Sequence, residues 1–388
     1  MSAPTVTHGV FAMTDNPPVW QLPADLVPTD GRFGSGPSKV RTGALEALAA
    51  TGTTLMGTSH RKPTVKNMVA SIQDGLLALF DAPDGYEVLI SNGGATAFWD
   101  AAAFGLISEQ SHHLVCGEFS SKFAAAAKNA PQLKDPVITE TAPGQPVTHV
   151  TPDAGCDVYA FAQNETSTGV QIPVRRPEGF DGLVVVDAVS AAGGMPVDLK
   201  DCDAYYFSPQ KCFGGDGGLF VAVISPAAAD RIATIKASSR FMPTFLDLAT
   251  ALDNSRKNQT YNTPALATLF LLDQQIRWMN DGGGLAWAAG RSAALSEHLY
   301  NWADAHPLAD PFVSDIASRS QTVATIDFHE GIDAETLASI LRSNGILDTE
   351  PYRKLGRNQL RISCFPDIEL TDMHKLTACI DAVLDYLD

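Results

Sequence analysis

The sequence predicts an α/β fold, with a large domain built on a mostly parallel sheet and a smaller α+β domain after it. From Phe33 onward, short β-rich runs alternate with helical stretches, as in strands joined by crossover helices. The clearest run, Leu183–Val186, is continuously aliphatic and leads into Asp187, as expected of a strand buried on both faces. Gly282-Gly283-Gly284 then interrupts the chain. The predicted boundaries are an N-terminal arm at 1–32, the large domain at 33–282 and the small domain at 283–388.

Individual elements follow from the same patterns of apolar residues. In the large domain we predict a helix after Gly94 and strands at Tyr86–Ser91, His113–Cys116, Val158–Ala162, Leu183–Val186, Tyr205–Phe207 and Leu219–Ile224. In the small domain we predict strands at Thr322–Phe328 and Gln359–Cys364, and helices through Ala293–Leu299, at Ile332–Ser343 and from Thr371. Prolines such as Pro17-Pro18 interrupt the first segment, so we expect an extended arm with little packing of its own.

Charge and composition exclude several classes of protein. The chain has 388 residues and a net charge of −17, from 27 basic and 44 acidic residues. Such a surface repels phosphate backbones, so we expect no nucleic-acid partner and no docking on anionic membranes. No apolar run is long enough to span a membrane, and the N-terminus lacks the pattern of an export signal. We therefore expect a cytoplasmic protein.

Cysteines and histidines give no sign of a metal site. The six cysteines are scattered without a CxxC pair, at Cys116, Cys156, Cys202, Cys212, Cys364 and Cys379. This usage favours free thiols in a reducing compartment and argues against a zinc site or a disulfide framework. The adjacent His112 and His113 lack an HExxH context, and we expect them in a surface loop.

Lys211 is the strongest candidate for a nucleophile. It follows the aromatic run Tyr205–Phe207, is flanked by Cys212, and precedes a segment that contains four glycines. Most lysines are solvated surface groups, but apolar surroundings lower the pKa of an amine and free it for attack on an aldehyde. The sequence thus favours covalent bonding to a carbonyl at this position.

Two further features have weaker meaning when taken alone. Asp187 ends an apolar strand, where open α/β sheets place their ligands, although such an acid also serves metals or caps a turn. Gly93-Gly94 joins a predicted strand to a predicted helix, which would expose backbone N–H groups to an anion. A plain turn explains these glycines equally well, and the segment matches neither a Walker A loop nor a GxGxxG motif.

The order and spacing of these features resemble the class V aminotransferases of fold type I. The similarity runs from Phe33 to about Pro366. It is carried by the segments FGSGPSKV (33–40), GTSHRK (57–62), NGGATAF (92–98), QNETSTGV (163–170), VVVDAVSA (184–191), SPQKCFGG (208–215), YNTPA (261–265) and QLRIS (359–363). The combination of SHR, NET-x-x-G and QK-x-x-G is specific, whereas each motif alone is not.

The resemblance implies a pyridoxal 5'-phosphate cofactor and assigns residues to it. Lys211 would bond the aldehyde of the cofactor, and Asp187 would pair with its pyridine nitrogen. The other cofactor-binding candidates are Ala95, Thr96 and Gln210 at the phosphate, Phe119 stacked on the ring, Thr166 at its phenolic edge, and Asn262 and Thr263 from a second subunit. The family likeness therefore implies a homodimer with shared active sites.

The resemblance also implies the substrates. His60 and Arg61 correspond to a phosphate-binding pair and Arg361 to the clamp for the α-carboxylate. The implied reaction is reversible transamination between L-glutamate and 3-phosphohydroxypyruvate, a step of serine biosynthesis. A longer phosphorylated ketone of vitamin B6 synthesis stays open as a substrate. Tyr352-Arg353 stands where many relatives have His-Arg, so one contact to the substrate phosphate differs.

Three alternatives remain at this point. Another class V aminotransferase, of the serine or alanine–glyoxylate type, would not need His60 and Arg61 because its substrates lack a distal anion. A cysteine desulfurase would be expected to have His in place of Gln210 and a nucleophilic cysteine on a mobile loop, whereas Cys364 lies in a predicted strand. A non-catalytic α/β interaction protein would bind no cofactor.

Overall fold

The computed structural model describes residues 20–387. Its helices are α1 Thr42–Ala50, α2 Pro63–Leu79, α3 Ala95–Gly105, α4 Glu118–Asn129, α5 Pro226–Ala237, α6 Leu248–Ser255, α7 Leu266–Gly282, α8 Gly284–Ala305, α9 Ala334–Ser343 and α10 Leu370–Leu387. Its strands are β1 Glu87–Asn92, β2 Ser111–Val115, β3 Val137–Glu140, β4 Val158–Ala162, β5 Asn164–Glu165, β6 Val170–Gln171, β7 Leu183–Asp187, β8 Ala204–Phe207, β9 Leu219–Ile224, β10 Ala309–Pro311, β11 Val323–Phe328 and β12 Gln359–Ser363.

The large sheet has seven strands in the order β1-β9-β8-β7-β4-β2-β3. Pairing is parallel from β8 through β7, β4 and β2 to β3, whereas β9 runs antiparallel to both of its neighbours, β1 and β8. The central strands β4, β7, β8 and β9 are buried along their whole length. Helices on both faces explain why these strands are aliphatic throughout rather than alternating. The predicted α/β class with a mostly parallel sheet is confirmed.

Two apolar layers cover the faces of this sheet. On one face α3 and α6 pack through residues such as Phe98, Trp99 and Leu252. On the other face α2 and α7 contribute residues such as Ile72 and Leu269. Each layer removes a continuous apolar surface from water, which is the main favourable contribution to folding. The sheet between them is a rigid platform whose strand ends carry the residues described below.

The smaller sheet is antiparallel, in the order β10-β11-β12. Helices α8, α9 and α10 bury its apolar face through residues such as Leu299, Leu337 and Leu376. Helix α7 ends at Gly282 and α8 begins at Gly284, so the predicted boundary falls between two helices. Gly283 has a φ of 125°, a conformation that favours glycine at such a helix end.

The described part of the N-terminal arm packs against the small domain. Leu22 joins its apolar cluster, and the ring of Trp20 stacks on Tyr386 with centroids 4.6 Å apart. The backbone N–H of Thr29 donates to Asp372 Oδ1 at 2.8 Å. From residue 20 onward the segment therefore has tertiary contacts, unlike the loosely packed arm that the prolines suggested. The arm before residue 20 lies outside the described residues, and the domain boundaries remain a prediction.

The predicted strands and helices named above are found at or within a few residues of their expected positions. The expectation for His112 and His113 was wrong, because both lie in β2 and are only 2% and 1% exposed. Their ring nitrogens contact Thr139 Oγ1 and Ser111 Oγ, and burial lowers the pKa of His113 to about 3. A neutral imidazole behaves as a packed aromatic group, so two histidines fit a buried strand. Among residues 20–387, no helix is both long and apolar enough to cross a bilayer.

Candidate active site

A cavity of about 510 Å³ opens at the carboxyl ends of β1, β7 and β8. This is the edge at which open α/β sheets bind their ligands. Seven of the residues predicted for the cofactor line it: Ala95, Thr96, Phe119, Thr166, Asp187, Gln210 and Lys211. The tertiary structure therefore brings together residues that are far apart in the sequence.

Lys211 is held at the wall of this cavity by the loop that follows β8. Its Nζ donates a hydrogen bond to the carbonyl oxygen of Ser35, and a Cβ added to Gly36 would collide with it. Ser38 fixes the loop, because its Oγ donates to the carbonyl oxygen of Lys211 at 2.7 Å. Burial, and then the nearby charge of Arg361, lowers the pKa of the Lys211 amine to about 8. At neutral pH about a tenth of the amine is therefore in the neutral, nucleophilic form, far more than for an ordinary lysine.

Asp187 lies at the end of β7 and is 4% exposed. Its carboxylate accepts hydrogen bonds from Tyr206 Oη at 2.8 Å, Trp99 Nε1 at 3.3 Å and the backbone N–H of Val189 at 3.0 Å. Burial raises the pKa of Asp187 to about 6 despite these donors. No basic side chain of residues 20–387 forms an ion pair with it, so a buried carboxylate faces the cavity without a cationic partner.

The turn before α3 forms a cradle for an anion. Gly93 and Gly94 have φ values of 120° and 77°, and a Cβ at Gly93 would lie 2.6 Å from Ala97 Cβ. Glycine is therefore required for the turn that directs the first N–H groups of α3 outward. Ser208 and Gln210 also lie near this turn, and the buried Ser208 Oγ and Gln210 Oε1 have no hydrogen-bond partner among residues 20–387. Unsatisfied buried polar groups beside a helix N-terminus fit a phosphate group.

The segment Asn164–Thr166 lines the wall opposite the cradle and also holds the helix that carries Phe119. Thr166 Oγ1 donates to Ser190 Oγ at 2.7 Å, and both Asn164 and Thr166 face the cavity. The intervening Glu165 turns away and accepts from the backbone N–H of Phe119 at 3.3 Å and from Ser120 at 2.9 Å. This carboxylate caps the start of α4 and thereby fixes the Phe119 ring at the cavity.

Arg361, on β12 of the small domain, reaches the cavity region from the side. Its Nη1 donates to the carbonyl oxygen of Thr166 at 3.4 Å, and its guanidinium lies 5.3 Å from the centre of the Tyr352 ring. Its buried Nε has no hydrogen-bond partner within the described chain. An arginine held in this way keeps donors free for a carboxylate. Tyr352 also packs against Phe119, with ring centroids 5.9 Å apart.

The remaining predicted residues do not line the cavity. We call His60, Arg61, Asn262 and Thr263 the outer edge. His60 Nδ1 contacts Thr263 Oγ1 at 3.2 Å, and Asn92 Nδ2 donates to the carbonyl oxygen of Thr263 at 3.1 Å. Arg61 and Asn262 are exposed, and the buried His60 Nε2 has no partner among the described residues. Burial, followed by the charge of Arg61, lowers the pKa of His60.

Several residues at or behind the cavity were not predicted from the sequence. Trp99 and Tyr206 contact Asp187 from behind, and Ser208 stands beside Gly94. Ser208 lies three positions before Lys211, a spacing that could have marked it as a polar residue of the same loop. No local pattern marked Trp99 or Tyr206, because both read as ordinary apolar positions of a helix and a strand.

The fold and the site together define a class of protein. A nucleophilic lysine, a buried carboxylate without a cation and an anion cradle surround one cavity. These groups fit a flat cofactor that has an aldehyde, a basic ring nitrogen and a phosphate, as pyridoxal phosphate does. The fold and the site are thus those expected of an α/β enzyme that uses pyridoxal phosphate.

Comparison with known proteins identifies the family. The family model described as aminotransferase class-V matches residues 37–348. The chain belongs to this family, which confirms the predicted resemblance, the aminotransferase class and pyridoxal phosphate as cofactor. The roles given to individual residues stay predictions.

Similar proteins cover almost the whole chain. A phosphoserine aminotransferase of Nocardioides sp. is 57% identical over 95% of this chain and 99% of its own length. One from Corynebacterium glutamicum is 58% identical over 96% of this chain and 98% of its own length. A solved phosphoserine aminotransferase from Cytophaga hutchinsonii superposes with a TM-score of 0.85 at 25% identity. The match covers 91% of this chain and 99% of the solved one.

The fold alone does not select a substrate within the family. A solved alanine–glyoxylate aminotransferase from Nostoc sp. superposes with a TM-score of 0.77 at 20% identity, covering 96% of this chain and all of that one. Substrate choice must therefore be argued from the side chains that meet the substrate.

Proposed function

We propose that the chain catalyses reversible transamination between L-glutamate and 3-phosphohydroxypyruvate, giving 2-oxoglutarate and O-phospho-L-serine, a step of serine biosynthesis. The observation that carries the proposal is the cavity in which Lys211, with its pKa lowered to about 8, accompanies the buried Asp187. Relatives that are called phosphoserine aminotransferase and cover nearly the whole chain support the substrate.

Several residues at or beside the cavity have a proposed part in holding the cofactor. The turn at Gly93–Gly94 with Ala95, Thr96 and Gln210 would bind the phosphate, joined by Ser208. Phe119 would stack on the ring, Thr166 would meet its phenolic edge, and Asp187 would hold the proton on the ring nitrogen. When bound, pyridoxal phosphate supplies an aldehyde and a ring that withdraws electrons from the substrate's α-carbon.

Lys211 has two proposed tasks at different moments. Its neutral amine would hold the cofactor through the aldehyde, and the same amine, when free, would take the proton from the substrate α-carbon and return it. An amine with a pKa of about 8 suits both tasks, because it accepts and returns a proton near neutral pH. Burial in the cavity also keeps water away from the α-carbon.

Arg361 would clamp the α-carboxylate, which all the substrates share. The guanidinium lies close enough to Lys211 for its charge to lower the pKa of that amine. Its unpaired Nε and the ring of Tyr352 beside it support a bidentate contact with a carboxylate. A substrate held at this point has its α-carbon fixed relative to Lys211, which is a contribution of positioning.

Two residues of the outer edge, His60 and Arg61, would bind the distal anion of the substrate, whereas Asn262 and Thr263 would reach the cofactor phosphate in the cavity of a second copy. No acidic side chain of residues 20–387 pairs with Arg61, although the chain carries a net charge of −17. An unpaired guanidinium beside a buried histidine with a free ring nitrogen supports a phosphate site. The distal carboxylate of glutamate would use the same place in the other half of the reaction.

We also propose that the chain works as a homodimer with shared active sites. The outer edge does not line the cavity of its own chain, so a second copy would supply His60, Arg61, Asn262 and Thr263. Exposed apolar side chains near this edge support the interface: Phe245 is 44% exposed, Met56 48% and Tyr261 42%. The six free, buried cysteines support a reducing cytoplasm as its compartment.

A substrate comparison tests the function. Purified protein with added cofactor would be assayed with L-glutamate and, in turn, 3-phosphohydroxypyruvate, the longer phosphorylated ketone and glyoxylate. We expect kcat/KM to be highest with 3-phosphohydroxypyruvate. A preference for glyoxylate would replace the proposal with a glyoxylate-type aminotransferase. Desulfuration is not expected, because Cys364 is fully buried and burial raises its thiol pKa to about 12.

A further inference from the structure

Behind the cavity, two buried side chains converge on the same oxygen of Asp187. Tyr206 Oη lies 2.8 Å from Asp187 Oδ2 and Trp99 Nε1 lies 3.3 Å from it. The two donors also contact each other, since Trp99 Nε1 donates to Tyr206 Oη at 2.7 Å. Tyr206 is 0% exposed and Trp99 is 6% exposed, so both donors are buried, although Trp99 and Asp187 also line the cavity.

Rigid elements set this geometry. Tyr206 lies on β8 directly opposite Asp187 on the parallel neighbour β7. Trp99 comes from α3, the helix whose first turn forms the anion cradle. Phe98 stacks on the Tyr206 ring with centroids 4.1 Å apart and limits its movement. The donors are thus fixed by packing and not by flexible loops.

The number of acceptor sites on Asp187 is nearly exhausted by the protein. A carboxylate offers about four lone-pair sites. Tyr206 and the N–H of Val189 take two of them, and the single N–H of Trp99 is shared between a third site at 3.3 Å and Tyr206 Oη at 2.7 Å. One site is left for a donor in the cavity. The other ionisable groups around Asp187 are Glu165, whose charge raises the pKa of Asp187, and Lys211, which has its own partner in Ser35.

We propose that Tyr206 and Trp99 are positioning residues that hold the Asp187 carboxylate ionised and oriented, with one acceptor site directed at a protonated ring nitrogen of the cofactor. This inference rests on the proposed role of Asp187. Burial disfavours the carboxylate anion, and hydrogen bonds to the charged form oppose that effect. Burial also raises the pKa of Tyr206 well above its ordinary value, so its hydroxyl keeps its proton and remains a donor.

The test compares two neighbouring tyrosines. Tyr206→Phe removes the hydroxyl at Asp187 and keeps the ring that stacks on Phe98. Tyr205→Phe is the matched control, because Tyr205 is equally buried on β8 and its Oη donates to Gln163 Oε1 at 2.7 Å on the opposite face of the sheet. Both variants lose one buried hydroxyl, but only one of them changes the donors at Asp187.

The measurement is the dissociation constant of pyridoxal phosphate from the apoprotein between pH 5 and pH 8. We expect Tyr206→Phe to bind about tenfold or more weakly than Tyr205→Phe at neutral pH, the usual effect of losing one hydrogen bond to a charged group. Affinity should fall as Asp187 takes up a proton below pH of about 6. In Tyr206→Phe this fall should begin at a higher pH, because the pKa of Asp187 rises.

Ionisation of the cofactor itself is common to all the variants and cancels in this comparison. Equal affinity and equal pH dependence in Tyr206→Phe and Tyr205→Phe would overturn the inference. Trp99→Phe gives a second variant if Tyr206→Phe does not fold. Because Trp99 also lines the cavity, the readout there is the pH at which cofactor affinity falls, which should be higher than in Tyr205→Phe. Asp187→Ala separates failure of the proposed role of Asp187 from failure of the positioning role of Tyr206 and Trp99. If Asp187→Ala binds the cofactor normally, both roles are refuted. If Asp187→Ala binds weakly while Tyr206→Phe and Trp99→Phe behave like Tyr205→Phe, only the positioning role is refuted.

Discussion

The cavity and the outer edge differ in how completely one chain builds them. Around the cavity, Lys211, Asp187 and the Gly93–Gly94 turn face a common space, and the first two have hydrogen-bond partners in Ser35 and Tyr206. At the outer edge, Arg61 is exposed and His60 keeps an unpaired ring nitrogen. One chain thus assembles a site for a cofactor but leaves the groups suited to a substrate phosphate facing outward. This difference supports the proposed shared site, in which one chain supplies Lys211 and Asp187 and a second copy supplies His60 and Arg61.

The largest effect is expected inside the cavity, at Lys211. Lys211→Ala should reduce turnover to background and abolish the visible absorbance of the lysine-bound cofactor, because no other amine of the described chain lines the cavity. The fold should persist, since the side chain makes a single hydrogen bond, to Ser35. Borohydride reduction followed by peptide mapping checks the assignment. Cofactor attached to a different lysine would refute it.

A subunit-mixing experiment tests whether the outer edge completes the cavity of a second copy. Lys211→Ala and Arg61→Ala subunits would be mixed and allowed to exchange. If Arg61 serves the other chain, each heterodimer has one intact site, and about a quarter of all sites should be intact after random exchange. Activity should then rise clearly above the mean of the two parents.

The mixing experiment has an internal control. Lys211→Ala mixed with Asp187→Ala should show no recovery, because both lesions lie in the cavity of their own chain and each heterodimer site carries one of them. Recovery of activity in this control would contradict a shared site. So would a failure to recover activity in the Arg61→Ala mixture when subunit exchange has been demonstrated.

A smaller effect distinguishes the two arginines. Arg61→Ala should lower kcat/KM for 3-phosphohydroxypyruvate by about ten- to a hundredfold, the usual effect of losing a charge-assisted contact. The glutamate half-reaction should lose less, because a carboxylate carries less charge than a phosphate. Arg361→Ala should impair both half-reactions about equally, since both substrates have an α-carboxylate. Stopped-flow absorbance separates the half-reactions, and unchanged rates in Arg61→Ala would remove it from the phosphate site.

The smallest expected effect is a shift in pH dependence. The Lys211 pKa of about 8 is lower than that of an ordinary lysine, so the neutral amine increases as pH rises through this value. The rate at which the apoprotein bonds the cofactor should rise with pH and level off above the pKa of Lys211. Arg361→Ala should move the midpoint to higher pH, because it removes a positive charge that lowers this pKa. Arg61→Ala, at the outer edge, should leave the midpoint in place.

Local patterns were sufficient for most of the fold. The run at Leu183–Val186 could be assigned to a buried strand because it has no polar alternation, and β7 is buried throughout. Lys211 could be selected because its neighbours are apolar or glycine. The histidines of β2 were misassigned, because a polar residue type says nothing about burial unless its hydrogen-bond partner, such as Thr139 for His112, is known.

The sequence by itself predicted the elements and placed Lys211 after one strand and Asp187 at the end of another, since these features depend on neighbours within a few positions. Only the tertiary structure decided what surrounds Asp187, because Tyr206 and Trp99 reach it through strand pairing and helix packing. Likewise, only folding could show that Arg361 stands near Lys211 while His60 contacts Thr263 and not the cavity. Contacts between distant segments follow from register and packing, and no local pattern of residues encodes them.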